Sequence, residues 1–239
     1  MHLGQILIFT ALLSFLVLRP VYSLIFSSLL VILELFRAFG APVGDLNNSI
    51  MTPCGGPVTV TIANKTTINE TISQLLILVN EAKSLAGTSK FEMIQAIGSA
   101  NMIMSLESQR FFNIINAEEI NVGFDIKKDL GQIFKSNFGN FSELIIYTDS
   151  AAGGATTHLV NNVKAVLDKL WTILCELQIG TLSQGESITQ YLNTSIISNQ
   201  VLNVTSTEEI LFRDYIIMRD VERNLEQFSL LYKYIKDSL

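Results

Sequence analysis

The sequence has 239 residues and a formal net charge of −6 at pH 7, with 49% hydrophobic residues, two cysteines and two histidines. An acidic chain lacks the basic surface that binds nucleic acids or anionic membranes, so we expect neither as a partner. His2 falls in the apolar N-terminal region, which leaves His158 as the one histidine of the remaining chain. A metal site would need more His or Cys residues at ligand spacing, and we find no arrangement for acid–base catalysis. We therefore expect a chain without enzymatic activity, cofactor or metal.

The first forty residues are strongly apolar. Two apolar runs, Gln5–Leu18 and Val21–Phe36, are separated by Arg19 and Pro20. Each run is shorter than the roughly 20 residues that a membrane helix needs. Ala38-Phe39-Gly40 fits the small-residue pattern of a signal-peptide cleavage site. We interpret residues 1–40 as a signal peptide, with a retained anchor as the alternative. We expect a secreted protein that does not insert into a membrane after processing.

Six Asn-X-Ser/Thr triplets follow this region, which is the acceptor pattern for N-glycosylation. They begin at Asn47, Asn64, Asn69, Asn140, Asn193 and Asn203. One triplet is commonly accidental, but six after a signal peptide favour export and glycosylation.

The final stretch, Ser206–Leu239, predicts a long amphipathic helix. Ser206 and Glu209 form a capping box, and no Gly or Pro follows. Its apolar stripe recurs in steps of three and four residues, at Leu211, Tyr215, Met218, Val221, Leu225, Phe228, Leu231 and Ile235. At 1.5 Å per residue the rod is roughly 45 Å long, so it needs equally long partners to cover its stripe.

Three further amphipathic segments predict those partners. They span 67–87, with Thr67 and Glu70 as a capping box, 124–151, weakened at Gly131 and Gly139, and 156–180. Residues 41–66 are predicted to be an extended leader, with the β-like run Val58–Ile62 too isolated to form a sheet. The domain is therefore expected to span 67–239.

The connections between the four helices predict their directions. Residues 88–123, with one or two helical pieces, and the polar stretch 181–205 are long, whereas the turn at Gly153–Ala155 is short. Two long crossovers are typical of up-up-down-down long-chain four-helix bundles, so we expect a single all-α domain of that kind. In such a bundle Cys54 and Cys175 lie near the same end, which favours a disulfide over two free thiols.

The segment Asn162–Leu177 resembles the third helix of the leukemia inhibitory factor and oncostatin M branch of the interleukin-6 family of cytokines. In that branch a cysteine near the end of this helix bridges to one in the leader, which matches Cys175 and Cys54. The final helix is similar as well. The resemblance implies a secreted, monomeric cytokine or growth factor that clusters type I cytokine receptors, including the shared signal transducer of the family.

The same resemblance suggests receptor-binding residues. Members that engage the leukemia inhibitory factor receptor carry Phe-x-x-Lys at the start of the last helix, where this chain has Phe212 and, in place of Lys, Tyr215. Phe212 is a candidate anchor, with an ordinary core residue as the alternative. Arg213, Arg219, Arg223 and Lys233 are expected to be exposed cations that face an acidic receptor surface, with an ordinary charged surface of a long helix as the alternative. Trp171 is expected at the edge of the core or as an exposed anchor.

Two other functions remain open at this stage. A secreted helical carrier could hold an apolar ligand between its helices, with the Phe-rich segment Phe111–Phe141 as the lining. The chain could also belong to another helical cytokine branch, such as the colony-stimulating factors or the leptin-like ligands.

Overall fold

The structure is a computed structural model that describes residues 46–56, 58, 65–117, 125–154, 157–189, 191–197, 201 and 203–239. Its helices are α1 (Leu46–Met51), α2 (Lys65–Ile97), α3 (Ala100–Leu106), α4 (Ile126–Gly154), α5 (Thr157–Ser183) and α6 (Thr207–Ser238), with a 3-10 turn at Thr194–Ile196. These ranges contain no strand, which confirms the all-α prediction for them. The predicted signal peptide, Asn64 and most of the run Val58–Ile62 lie outside the described residues.

The apolar stripes of the four long helices form the core, as predicted. Seven of the eight stripe residues of α6 are buried, and Leu211 at its start is half-buried. The capping box of Ser206 and Glu209 is also confirmed, with both hydrogen bonds present. The period of three and four residues therefore identified the buried face of each long helix correctly.

The helix ends predicted at Gly87 and Gly180 are wrong, because each of these glycines lies within its helix. Helix α2 runs through Gly87 and ends before Gly98, whose φ of 65° is the left-handed conformation that favours glycine after a helix. Helix α5 runs through Gly180 and ends before Gly185, with a φ of 76°. A methyl group added at Gly180 would lie 3.0 Å from two ring carbons of Phe134, so this glycine permits close packing of α5 on α4.

Two other boundaries also differ from prediction. Helix α2 begins at Lys65, before the expected cap at Thr67. The leader is not extended throughout, because α1 forms within it and fully buries Ile50. Helix α4 continues through both Gly131 and Gly139.

Helix α2 packs antiparallel to both α5 and α6. Its contacts with α5 join Glu81 to Lys169 at 2.7 Å and Glu92 to Asn162 at 2.6 Å. Its contacts with α6 join Asn80 to Ser229 at 2.9 Å and Lys90 to Glu222. In each pair the residue numbers rise along α2 and fall along its partner, so the helices run in opposite directions.

Helix α4 also packs antiparallel to α5 and α6. Hydrogen bonds with α6 join Asn137 to Tyr232 at 3.0 Å and Ser150 to Arg213 at 3.3 Å. Between them, the ring centroids of Phe141 and Phe228 are 4.3 Å apart. Along α5, Phe134 meets Gly180, and Gly131 faces Gln184 just beyond the helix end. The two helices α4 and α5 follow each other closely in sequence, since α4 ends at Gly154 and α5 begins at Thr157.

The connection after α5 is less solvated than its polar composition predicts. The Tyr191 ring packs edge-on against Phe138 with centroids 6.0 Å apart, and Val201 is fully buried. Parts of this segment therefore belong to the core rather than to a solvent-exposed loop. None of the described helices combines the length and apolarity that a membrane span requires.

Candidate functional site on the last helix

The first half of α6 carries two Arg-Asp pairs in which every side chain is buried. Arg213 Nε donates to Asp214 Oδ1 at 2.8 Å, and Arg219 Nε donates to Asp220 Oδ1 at the same distance. Arg213 is 7% exposed and Arg219 only 1%. The expectation that these two arginines are exposed is therefore wrong. Both lie beneath segments that connect the long helices.

Arg219 anchors the connection that follows α2. Its Nη1 donates to the carbonyl oxygen of Leu106 at 2.6 Å, and its Nη2 donates to that of Gln109. Leu106 is the last residue of α3, so its carbonyl oxygen accepts no hydrogen bond from within that helix. A cation at a helix C-terminus also interacts favourably with the helix dipole. Arg219 thus holds α3 and the chain after it against α6.

Arg213 plays the corresponding part for the connection that follows α5. Its Nη1 donates to the carbonyl oxygen of Val201 at 3.4 Å, and its Nη2 donates to that of Ser150 at 3.3 Å. Ser150 lies in the last turns of α4. One guanidinium therefore joins three parts of the domain: the second connection, the end of α4 and the start of α6.

Glu107 links Tyr215 to the exposed surface beside Arg219. The Tyr215 hydroxyl donates to Glu107 Oε1 at 2.7 Å, and Arg223 Nη2 donates to Oε2 at 2.6 Å. Burial raises the pKa of Glu107, but these hydrogen bonds outweigh it and leave the pKa below its usual value. Burial and the Glu107 carboxylate together raise the pKa of Tyr215 to about 12. Tyr215 is 1% exposed and stays a neutral donor at physiological pH.

Asp214 and Asp220 use only part of their hydrogen-bonding capacity. Oδ2 of both Asp214 and Asp220 is buried without a hydrogen-bond partner. Burial raises the pKa of Asp214 to about 6, against the opposing charge of Arg213. Burial likewise raises the pKa of Asp220, against Arg219. Buried ion pairs of this kind add little net stability but are costly to break, so this cluster fixes where the connections lie.

Phe212 and Trp171 remain available for contact with a partner. Both are half-buried and pack against the core from its edge, which is the position expected for Trp171. Of the remaining predicted cations, Arg223 has 36% of its side chain exposed and Lys233 is exposed.

The predicted disulfide between Cys54 and Cys175 is present. The two Cα atoms are 4.9 Å apart, and the bridge spans 121 residues of sequence. It ties the leader, including the segment after α1, to the second half of α5.

The predicted glycosylation acceptors lie in different environments. Asn69, Asn193 and Asn203 are exposed, and Asn47 and Asn140 are half-buried. Asn64 lies outside the described residues. Glycosylation of these positions stays a prediction.

Sequence patterning missed the Arg-Asp cluster. A signal was present, since Arg-Asp occurs twice within Arg213–Asp220, but a helical period assigns such charges to solvent. Within the described ranges, no group of three or more His, Cys, Asp or Glu side chains is arranged to hold a metal ion. The chain matches no protein-family model, and no curated protein or solved structure is significantly similar to it.

Proposed function

We propose that this chain is a secreted helical cytokine that binds and clusters type I cytokine receptors, including the signal transducer shared by the interleukin-6 family. It acts as a monomeric ligand and without catalysis. The observation that carries the proposal is the direction of the four long helices. The antiparallel contacts of α2 and α4 with α5 and α6 support a bundle in which the first two long helices run one way and the last two the other.

That arrangement supports an up-up-down-down bundle with two long crossovers, the topology of the growth-hormone and cytokine class. The short link between α4 and α5 and the long segments on either side of this pair agree with it. The Cys54–Cys175 bridge adds independent support, because the cytokine branch that the chain resembles carries a leader cysteine bridged to the third helix.

The proposed receptor contacts are the half-buried aromatic residues Phe212 and Trp171. Energetic hot spots of protein interfaces are enriched in Trp, Tyr and Arg, and buried aromatic anchors fill pockets on the partner. Arg213, Tyr215 and Arg219 are buried, so we assign them an indirect part. They hold the connections that flank Phe212 and thereby set the shape of the surface around it.

Cell-surface capture tests the proposal. The secreted protein is crosslinked to intact receptor-bearing cells and its partners are identified, with a reduced and alkylated sample as the control that lacks the disulfide. Recovery of the shared signal transducer supports the interleukin-6 family reading. Recovery of a colony-stimulating factor or leptin receptor instead assigns the chain to another cytokine branch.

A carrier function would give a different result, namely an apolar ligand that co-purifies and no captured receptor. The aromatic residues that would line its cavity pack against other rings. The Phe112 and Tyr147 centroids are 4.8 Å apart, and those of Phe141 and Phe228 are 4.3 Å apart. These contacts favour a packed core, so the carrier is not proposed.

A further inference from the structure

We propose that N-linked glycans at Asn47, Asn193 and Asn203 cover one face of the domain, which we call the α4 face: the outer side of α4 and the described residues of the connection after α5, namely 186–189, 191–197, 201 and 203. The proposal rests on the secretion that is part of the proposed function. It goes beyond that function by assigning the modified residues and the surface they occupy.

The connection follows α4 along its length. Tyr191 packs on Phe138, and the Ile196 carbonyl accepts a hydrogen bond from the Tyr147 hydroxyl at 3.4 Å. Phe138 and Ser150 are twelve positions apart on α4, which corresponds to about 18 Å at 1.5 Å per residue. Arg213 joins Val201 to Ser150, so the connection is again held to α4 near the end of that helix. Acceptors on this connection are therefore spread along a single face.

Asn193 and Asn47 lie side by side on this face. Asn193 is exposed and caps the 3-10 turn by accepting a hydrogen bond from the Ser195 backbone N–H at 3.0 Å. Asn47 accepts one from the Thr194 backbone N–H at 3.2 Å. In both residues the amide oxygen makes the contact, whereas a glycan is attached to the amide nitrogen. The modified residues therefore keep the hydrogen bonds that the folded domain requires.

Asn203 lies at the other end of the connection. It is exposed, two residues after Val201, which is fully buried and bonded through its carbonyl to Arg213. This anchor holds the triplet Asn203-Val204-Thr205 at the surface. Asn140 is excluded from the proposal because Phe141 and Ser142, the other two residues of its triplet, are both 0% exposed. Asn69 is exposed but lies on α2, outside this face.

The modification is a group transfer from a lipid-pyrophosphate oligosaccharide. The asparagine amide nitrogen forms a bond to C1 of the first sugar as the bond from C1 to the pyrophosphate oxygen breaks. The amide nitrogen loses one proton, the lipid pyrophosphate leaves, and nothing is oxidised or reduced. Glycans are bulky and hydrated, so three of them would keep a protein partner away from the α4 face.

Site mapping of the full chain tests the proposal. The protein is expressed in mammalian cells behind a foreign signal peptide, so that entry into the secretory pathway does not depend on residues 1–40. Enzymatic removal of N-glycans in heavy-oxygen water converts each occupied asparagine to labelled aspartate, which peptide mass spectrometry detects. We expect the label at all three positions.

Three variants check the assignment by removing the Ser or Thr of a triplet and keeping its asparagine. They are Ser49→Ala, Ser195→Ala and Thr205→Ala. Each should lower the mass of the secreted protein by one glycan. Asn161→Gln is the matched control, because Asn161 is exposed but lies in no acceptor triplet, and the mass of its glycans should not change. An unlabelled asparagine at any of the three positions overturns the proposal. Receptor capture with the same preparation is a separate readout, so a failure of the proposed function is distinguishable.

Discussion

Arg219 Nη1 donates a 2.6 Å hydrogen bond to the carbonyl oxygen of Leu106, which lies 113 residues earlier in the chain. The same guanidinium is paired with Asp220, so its charge is balanced within the buried cluster. Arg213 does the same for the second connection through Val201. Both long connections are therefore fixed to the last helix by a buried arginine, and both arginines lie in the first half of that helix.

Arg219→Met is expected to lower the free energy of unfolding by about 3–5 kcal/mol, because it removes the 2.7 Å ion pair of the buried Asp220 carboxylate and the side-chain hydrogen bonds to the Leu106 and Gln109 carbonyls. Urea denaturation followed by circular dichroism measures the change, since urea does not screen ion pairs. Arg223→Met is the matched control. Arg223 forms a partly exposed ion pair with Glu107, and pairs of that kind contribute less than about 1 kcal/mol. Its Nη1 also lies 3.9 Å from Asp220, a longer contact than the 2.7 Å ion pair that Arg219 makes with the same carboxylate.

The double variant Arg219→Met, Asp220→Leu separates the ion pair from simple packing. Removing both charges should recover at least half of the lost stability, because no unpaired charge then remains buried. A double variant that is as unstable as Arg219→Met alone would contradict this account. Equal losses in Arg219→Met and Arg223→Met would do the same.

Asp214 should make the domain more stable as the pH falls from 7 to 5. Its pKa in the folded state is about 6, above the ordinary value of 3.8, so the folded protein binds the proton more tightly than the unfolded chain. The stabilisation is complete below the ordinary value and is lost as the pH rises through about 6. Relative to Asp214→Asn, the free energy of unfolding of the wild type should rise by about 1 kcal/mol between pH 7 and pH 5.

Denaturation of the two proteins at pH 7, 6 and 5 gives this difference and cancels the contributions of the other titrating groups. Asp237→Asn, at an exposed position in the last turn of α6, serves as the control for the effect of an Asp-to-Asn change on the same helix. A wild type that loses stability relative to Asp214→Asn on acidification would mean that the Arg213 ion pair outweighs the burial of the carboxylate.

The buried faces of the long helices could be predicted because burial follows the helical period, and Tyr215 was assigned correctly on that basis. Helix ends could be predicted less accurately than buried faces, because glycine has two structural uses. Gly98 adopts a left-handed conformation that ends a helix, whereas Gly180 lies within a helix and admits the Phe134 ring. One sequence does not distinguish these two uses.

The buried charges of the candidate site were beyond prediction for a different reason. Arg219 lies outside the apolar stripe of α6, at a position where the helical period predicts a solvent-exposed residue. It is buried only because the connection through Leu106 and Gln109 covers it. Where a connection lies depends on contacts between residues more than a hundred positions apart, which no local pattern contains.

Loss of the Cys54–Cys175 bridge is expected to lower the free energy of unfolding by up to about 5 kcal/mol, because the bridge closes a long loop in the unfolded chain. The bridge spans 121 residues. Denaturation of the double variant Cys54→Ser, Cys175→Ser measures the loss. Each single variant should lower the free energy of unfolding by the same amount, because either one removes the bridge. Peptide mapping of the unreduced wild type checks the pairing, and alkylation of both thiols without prior reduction would contradict it.

Phe212→Ala should weaken receptor binding at least tenfold while leaving helicity and the melting temperature nearly unchanged. Phe212 is half-buried at the edge of the core, so truncation removes a contact surface more than it opens a cavity. Ile216→Ala is the contrasting variant, because Ile216 is 2% exposed one turn later on the same helix. It should lower the free energy of unfolding by about 2–5 kcal/mol. Binding to the captured receptor, measured at a temperature where both variants are folded, then separates contact from stability. If Phe212→Ala melts like Ile216→Ala and binds like the wild type, Phe212 is a core residue and the proposed contact is wrong.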